Sequence, residues 1–386
     1  MQNLINLPNS TNSENQFTNQ ITDNYKAKLT KIATQNIKDI LKYSLKFDSK
    51  IHKALIIFDT QNELPQILTN SYRENLSNAT FIDFDKTKSS EIIASFQKLK
   101  AEDLVILIQS SNFRLDEFRI RIHLFNLKLK VIEHLHLHRN EPESWESYVS
   151  SLSYNPDYYN KMGSFLKTKI SNCQNLTLKY TTKISKTGKI KSEEENSKNP
   201  KKQQIQEKTY ELITGELEIP KLNTGNYENM VNVGGTFPIG EVFCEARNLE
   251  SMNGSFWVWA FADSNFELIF ADPFCVNVEN GLVVSWSNAP KEFVEIIEKV
   301  KQIERPVIRE IGFGLNTAID KKNPLGDITA FERIVGIHLS LGEKHSVYKK
   351  PGITVHKSRF HVDLFVLVDQ VLMGDTVIFE NGKYLV

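Results

Sequence analysis

None of the 17 glycines in this 386-residue chain lies before Gly163. A dinucleotide fingerprint or a phosphate-cradling loop needs glycine where the backbone approaches a phosphate closely, so the first 162 residues hold neither. Yet the same stretch alternates as an α/β domain does. Apolar runs suited to buried parallel strands stand at Ala54–Phe58, Phe81–Phe84, Leu104–Ile108 and Val131–Leu137. Between them Leu64–Leu76, Glu91–Leu99 and Leu115–Leu127 carry apolar residues at helical spacing, and a further helix is expected from about Tyr25 to Tyr43. The expectation is an open sheet without its common cofactor.

The character changes after a helix expected over Asp157–Ile170. From about Leu176 glycine and strand-like alternation dominate. The fold class read from this is an α/β N-terminal open-sheet domain followed by a mostly β (α+β) C-terminal domain. The expected divisions are a disordered tail over 1–22, the α/β domain over 23–175 and the C-terminal domain over 176–386. Lys183–Lys208 has almost no apolar content to offset the entropy of ordering it and is expected to be a flexible insertion. Its basic residues are mixed with Glu193, Glu194 and Glu195 and lack aromatic company, unlike a nucleic-acid-binding tail.

Lys+Arg and Asp+Glu balance at 47 each, so the whole molecule offers no long-range attraction to nucleic acid or an anionic membrane. No apolar stretch reaches the roughly 20 residues that span a bilayer, and the polar first residues lack the pattern of a secretory signal. Cys173, Cys244 and Cys275 are odd in number and far apart, which favours a reducing compartment over a disulfide framework. The sequence reads as cytoplasmic, with no nucleic-acid and no membrane partner.

The ionisable residues hardest to dismiss lie in the second half. If Arg359–Val368 is a strand, His361 and Asp363 share one face, roughly 7 Å apart at Cα, a spacing that suits ligands converging on a metal. Upstream, His338 sits in an apolar strand that runs through a turn at Gly342 into Lys344 and His345. Glu310 and Glu241 stand among apolar neighbours, where a carboxylate is costly unless paired or bound to metal. Singly, each has a bland reading as a structural hydrogen-bonding group, a core histidine or an edge-strand residue facing water. Together they supply three carboxylates and three imidazoles, enough for two ions about 3.5–4 Å apart that share a carboxylate.

The segments GEVF, REIGFGLN, HLSLGEKH and HVD, in this order and at these separations, resemble the metallo-aminopeptidases of the aminopeptidase T and S family. Within it, the REIG and SLG-KH patterns are similar to a branch of uncharacterised aminopeptidase-like proteins. The resemblance covers the C-terminal half and implies a dinuclear site in a barrel-like cleft and a homodimer. Carried across, Glu241 and Glu310 match the family's two glutamates, His338 its first histidine, and His361 with Asp363 its terminal pair. His345 departs from the pattern, because the family places a tyrosine there. Either His345 binds metal in its stead or the chemistry has changed, with Tyr348 nearby as a shifted phenol. The resemblance thus implies a metal-dependent hydrolase with two divalent ions (Zn, Co or Mn) that cleaves an N-terminal residue from a peptide or a related small amide. Glu310 is the shared ligand or proton acceptor, and Glu245 a weaker general-base candidate. Two alternatives stand beside it. One is a mononuclear Fe(II) ring-opening dioxygenase using His338, His361 and Asp363; the other is a binding protein that kept the fold without turnover.

Three other features compete for attention. His134, His136 and His138 align on one face of a strand but extend over too great a length for one ion, so a polar strand face or strand end is expected. Trp257, Trp259 and Phe261 alternate with Phe256, Val258 and Ala260, which suggests core packing or a dimer interface. Cys244 has no Cys/His/Asn pattern around it, and neither a G-x-S-x-G elbow nor an H-E-x-x-H helix occurs.

Overall fold

The structure, a computed structural model, describes residues 11–115, 120–185, 205–227, 234–263, 265–345, 347–350, 352–353 and 358–386. The chain forms two compact units, Met1–Tyr154 with Tyr227–Phe237, and Asn155–Asn226 with Pro238–Val386.

In the first unit the order is α1 (Thr11–Asp39), β1 (Ala54–Phe58), α2 (Glu63–Asn75), β2 (Thr80–Asp83), α3 (Ser89–Phe96), β3 (Leu104–Ile108), α4 (Ile120–Asn126), β4 (Lys130–His134) and α5 (Trp145–Ser151). A fifth strand is supplied from far along the chain by Gly234–Phe237, and all five pair in parallel. Buried on both faces, β1 and β3 are the continuous apolar runs that marked them in the sequence, whereas β4 buries Lys130, Glu133 and His134 beside Val131 and Ile132 and stops at His134, short of the expected Leu137. On one side Leu55, Ile57, Val105, Leu107 and Val131 pack with Ile92, Phe96, Ile120 and Leu124 of α3 and α4. The helix over the expected tail begins at Thr11, and residues 1–10 lie outside the described residues.

The histidine run ends the sheet rather than forming a ligand row. His134, the last residue of β4, is fully buried, with Nε2 2.9 Å from the Tyr72 hydroxyl and Nδ1 3.0 Å from that of Tyr148. Burial pushes its pKa down to about 3, so it is a neutral, satisfied core imidazole. His136 then turns the chain with φ of 52°, and His138, its ring edge-on to that of His136 at 6.3 Å, bonds the Ser110 carbonyl, so the three do not line one strand face.

The second unit runs α6 (Pro156–Ser171), β5 (Leu176–Ser185), β6 (Ile205–Thr214) and β7 (Lys221–Asn223). After β8, the Gly234–Phe237 strand of the first unit, come β9 (Glu241–Glu245), β10 (Asn253–Ala262), β11 (Leu268–Glu279), β12 (Leu282–Ser287), α7 (Lys291–Ile303), β13 (Ile308–Gly314), α8 (Ile328–Phe331) and β14 (Gly336–Leu341). The chain ends with β15 (Val362–Leu367), β16 (Gln370–Met373), β17 (Thr376–Glu380) and β18 (Lys383–Tyr384). The strands form a 13-stranded antiparallel sheet in the order β18-β17-β16-β5-β6-β10-β15-β14-β13-β9-β7, with β11 and β12 branching from β10. The α/β and mostly β description read from the sequence holds. The expected boundary near residue 175 differs from the structure, because α6 joins the second unit and β8 returns to the first. The insertion expected over 183–208 is strand at both ends: β5 and β6 pair as far as Ser185 opposite Ile205, and 186–204 lie outside the described residues. Among the described residues no helix is long and apolar enough to cross a membrane.

Candidate metal centre

Cross-strand partners in an antiparallel sheet share a face, as do residues two apart along one strand. On β9 and β13, Glu241 pairs with Gly314 and Glu245 with Glu310. On β13 and β14, Gly312 pairs with His338 and Glu310 with Ser340; on β14 and β15, His338 pairs with Phe365 and Ser340 with Asp363. Register alone therefore puts Glu241, Glu310, His338 and Asp363 on one face of four adjacent strands, with His361 just before β15 in phase with Asp363. The opposite face presents Val242, Cys244, Ile311, Phe313, Leu339 and Leu364, all buried. Cys244 thus points away from the cluster, and burial raises its thiol pKa well above the ordinary value, so it is no nucleophile.

Glycine makes this packing possible at one position. A Cβ on Gly312 would stand 2.0 Å from both Cε1 and Nε2 of His338. The imidazole lies across the bare backbone of its cross-strand partner, which brings Nε2 to 3.2 Å from Glu241 Oε1 and 3.7 Å from Glu310 Oε1. On the other side of Glu310, His361 Nε2 is 3.9 Å from Oε1 and 3.4 Å from Asp363 Oδ1.

Among the described residues three groups bring potential ligand atoms within 4.8 Å of one another: Glu241/Glu310/His338, Glu310/His361/Asp363 and Glu332/His338/Asp363. The first two share Glu310 and together use all five residues carried across from the family resemblance. Glu332, in the turn after α8, was not anticipated. Its signal was a charged pair, Glu332-Arg333, between the apolar Phe331 and Ile334.

The electrostatics are those of crowded carboxylates. Burial opposes charge on Glu310, but hydrogen bonds from His338 and His345 outweigh it and hold its carboxyl well below the usual range. Burial likewise opposes charge on His338, yet Glu241 and Glu310 raise its pKa well above the ordinary value. For His361 the Asp363 carboxylate overcomes burial and pushes the value up to about 10. Burial drives Glu332 well above the carboxylate range; Arg333 offsets part of this, while Glu241 and Asp363 add to it. Arg333 bonds Glu332 and lies 3.6 Å from Glu241.

The donor set fits a divalent cation. His338 Nε2 and Asp363 Oδ1 are buried and meet only ion-pair partners, Glu241 at 3.2 Å and His361 at 3.4 Å, without well-aligned hydrogen bonds, an arrangement that leaves two good metal-ligand atoms incompletely satisfied. Oxygen and imidazole donors together suit Zn, Mn, Co or Fe.

His345 falls outside all three groups. Its Nδ1 accepts from the backbone N–H of Val347 at 3.1 Å, which leaves the ring hydrogen on Nε2 to be donated to Glu310 Oε2 at 2.6 Å. His345 therefore orients Glu310. Tyr348 offers no replacement phenol, because its hydroxyl donates to the Ile219 carbonyl at 2.6 Å. Glu245 also has a different task from the one expected of it. Its carboxylate is 0% exposed and accepts from Arg309 Nε at 2.7 Å, so it is not available to take a proton from water. Arg309, itself 1% exposed, also donates to the carbonyls of Glu343 and Tyr348, which bracket His345. Lys350 closes the network from 3.7 Å. Sequence reasoning missed Arg309 and Lys350, although Arg309 is the first letter of the REIG segment.

No family profile and no curated protein sequence matches the chain. Solved structures do. The 2,5-dihydroxypyridine dioxygenase from Pseudomonas putida KT2440 aligns with a TM-score of 0.57 at 13% identity, over 93% of this chain and 97% of its own. Wild-type AmpT (aminopeptidase T) from Thermus thermophilus aligns with a TM-score of 0.55 at 13% identity, over 94% of this chain and 100% of its own. The chain shares its fold, across nearly the whole length of each, with two enzymes of different chemistry.

Proposed function

We propose that this chain is a metal-dependent hydrolase that removes an N-terminal residue from a peptide, or cleaves a related small amide, with two divalent ions held by Glu241, Glu310, His338, His361 and Asp363. One observation carries the reading: Glu310 belongs to two ligand groups at once, one with Glu241 and His338, the other with His361 and Asp363. A carboxylate shared between two groups is an arrangement that can hold two ions at the short separation of a dinuclear site. Bound there, the ions would supply Lewis-acid polarisation of a carbonyl and an activated water. The chain's own part is orientation. His345 fixes one oxygen of Glu310, Arg309 fixes the turn that bears His345, and the carboxylates favour a substrate amine. A homodimer and a cytoplasmic location belong to the same reading.

The second reading, a mononuclear Fe(II) ring-opening dioxygenase, draws on the likeness to the dioxygenase fold. Against it, none of the three groups contains both His338 and His361, so the two-histidine, one-carboxylate triad it needs is not assembled among the described residues. Aminoacyl p-nitroanilides offered to Zn-, Co- or Mn-loaded protein should release nitroaniline, and a chelator should abolish the release. No release above the chelator control, together with oxygen uptake by Fe(II)-loaded protein on a dihydroxypyridine, would replace the first reading by the second.

A further inference from the structure

The strand β10 does not keep the alternation its sequence suggests. Val258 pairs with Val366 but Ala260 with Phe365, so a β-bulge at Trp259 breaks the phase of Trp257, Trp259 and Phe261. A bulge re-aims the side chain it contains. The indole of Trp259 packs with ring centroids 5.7 Å from Phe365 and 6.2 Å from Phe331, and the exposed Lys321 sets its ammonium 3.7 Å from the indole centroid. Trp259, Phe365 and Lys321 wall a cavity of about 190 Å³ whose lining also includes Ile337, Leu367 and His338. His338 belongs to two of the three ligand groups, so the cavity borders the metal centre. Its size decides what it admits. An apolar cavity of about 150 Å³ takes a benzene ring, so this one holds a single ring or a branched aliphatic chain and no more. Its charge discriminates further, since the Lys321 ammonium in the lining stands on the indole face, where another cation would be repelled.

We propose that this cavity receives the apolar or single-ring side chain of the residue to be removed, and that Lys321 on Trp259 excludes basic side chains. The term "residue to be removed" rests on the hydrolase reading; the cavity's preference for a neutral ring does not. The first measurement is therefore independent of turnover. Ligand-observed NMR of the full-length, metal-loaded protein with benzyl alcohol, which has neither amine nor carboxylate, should detect binding, and Trp259→Ala should weaken it at least about tenfold, the usual worth of a few buried carbons. If Trp259→Ala does not fold, Val335→Trp, which narrows the cavity from a partly exposed position, serves in its place. No binding, or binding indifferent to these changes, overturns the proposal whether or not the protein hydrolyses anything. Binding without hydrolysis of any aminoacyl p-nitroanilide supports the cavity and sinks the hydrolase reading alone. With hydrolysis, leucyl and phenylalanyl substrates should exceed glycyl and arginyl ones in kcat/KM, and Lys321→Glu should raise the arginyl-to-leucyl ratio at least about tenfold. An unchanged ratio overturns the role given to Lys321.

Discussion

Replacing Arg309 by Met tests the network behind the metal centre. Methionine keeps much of the length of the arginine stem but removes the charge and every donor. Arg309 is 1% exposed and Glu245 0%, so the loss strands a buried carboxylate together with the carbonyls of Glu343 and Tyr348. Breaking a buried ion pair from one side costs about 3–5 kcal/mol. Lys350, 3.7 Å from Glu245, and protonation of Glu245 keep the loss from exceeding that range. Burial already raises Glu245 above the usual carboxylate range, with Arg309 only partly offsetting it. Without Arg309 the folded-state pKa rises further. A carboxyl raised on folding favours the folded state below its unfolded value and loses that contribution as pH rises through the folded value, so the deficit should shrink as pH falls from 7 toward 5. The assay is urea unfolding followed by tryptophan fluorescence, for which three of the four tryptophans, Trp257, Trp259 and Trp286, report on the second unit. Arg309→Met combined with Glu245→Leu should recover at least about 1 kcal/mol, because removing both charges leaves neither unpaired. A loss below about 1 kcal/mol in the single variant, or strict additivity in the double one, would refute the reasoning.

Metal binding should release about two protons per chain at pH 7, because His338 and His361 are both held protonated by neighbouring carboxylates without it; calorimetry in buffers of different ionisation enthalpy counts them, and a count of zero contradicts the electrostatics. Affinity for metal should accordingly climb with pH up to about 10 and fall as pH drops. Gly312→Ala puts a methyl 2.0 Å from two atoms of the His338 ring and should weaken metal binding at least about tenfold with the circular dichroism spectrum kept; unchanged affinity would mean that the ring does not need that space. His345→Ala should leave metal content nearly intact while turnover drops about 10- to 100-fold through misorientation of Glu310, and loss of metal in parallel with turnover would make His345 a ligand after all.

Much of this was legible in the sequence, for identifiable reasons. Strands β1 and β3 announced themselves as continuous apolar runs because helices cover both faces of a parallel sheet. Glu241, Glu310, His338, His361 and Asp363 stood out because charge is rare among apolar neighbours, and β-strand phase then placed them on one face. What stayed hidden depends on three-dimensional partners. Glu245 looked like a spare base four residues from Glu241, and only Arg309, 64 positions away, reveals that it is spoken for. The histidine run invited a metal reading until Tyr72 and Tyr148 closed around His134. Phe261 leaves the face that alternation with Trp257 and Trp259 predicted, because a bulge, which leaves no mark in residue order, shifts the register between Val258 and Ala260 and sets Phe261 opposite Leu364. The ends of β5 and β6 escaped notice because a charged hairpin lacks the apolar alternation that marks a half-buried strand.

The central claim is that Glu310 joins two metal sites. Elemental analysis of anaerobically purified protein, with metal counted per chain in the native sequence and in Glu310→Ala, tests it most directly. The account predicts two equivalents of Zn, Co or Mn in the former and loss of both in the latter, since each group then loses its common member. One equivalent of iron in the native protein, retained when Glu310 or Glu241 is removed, would contradict it.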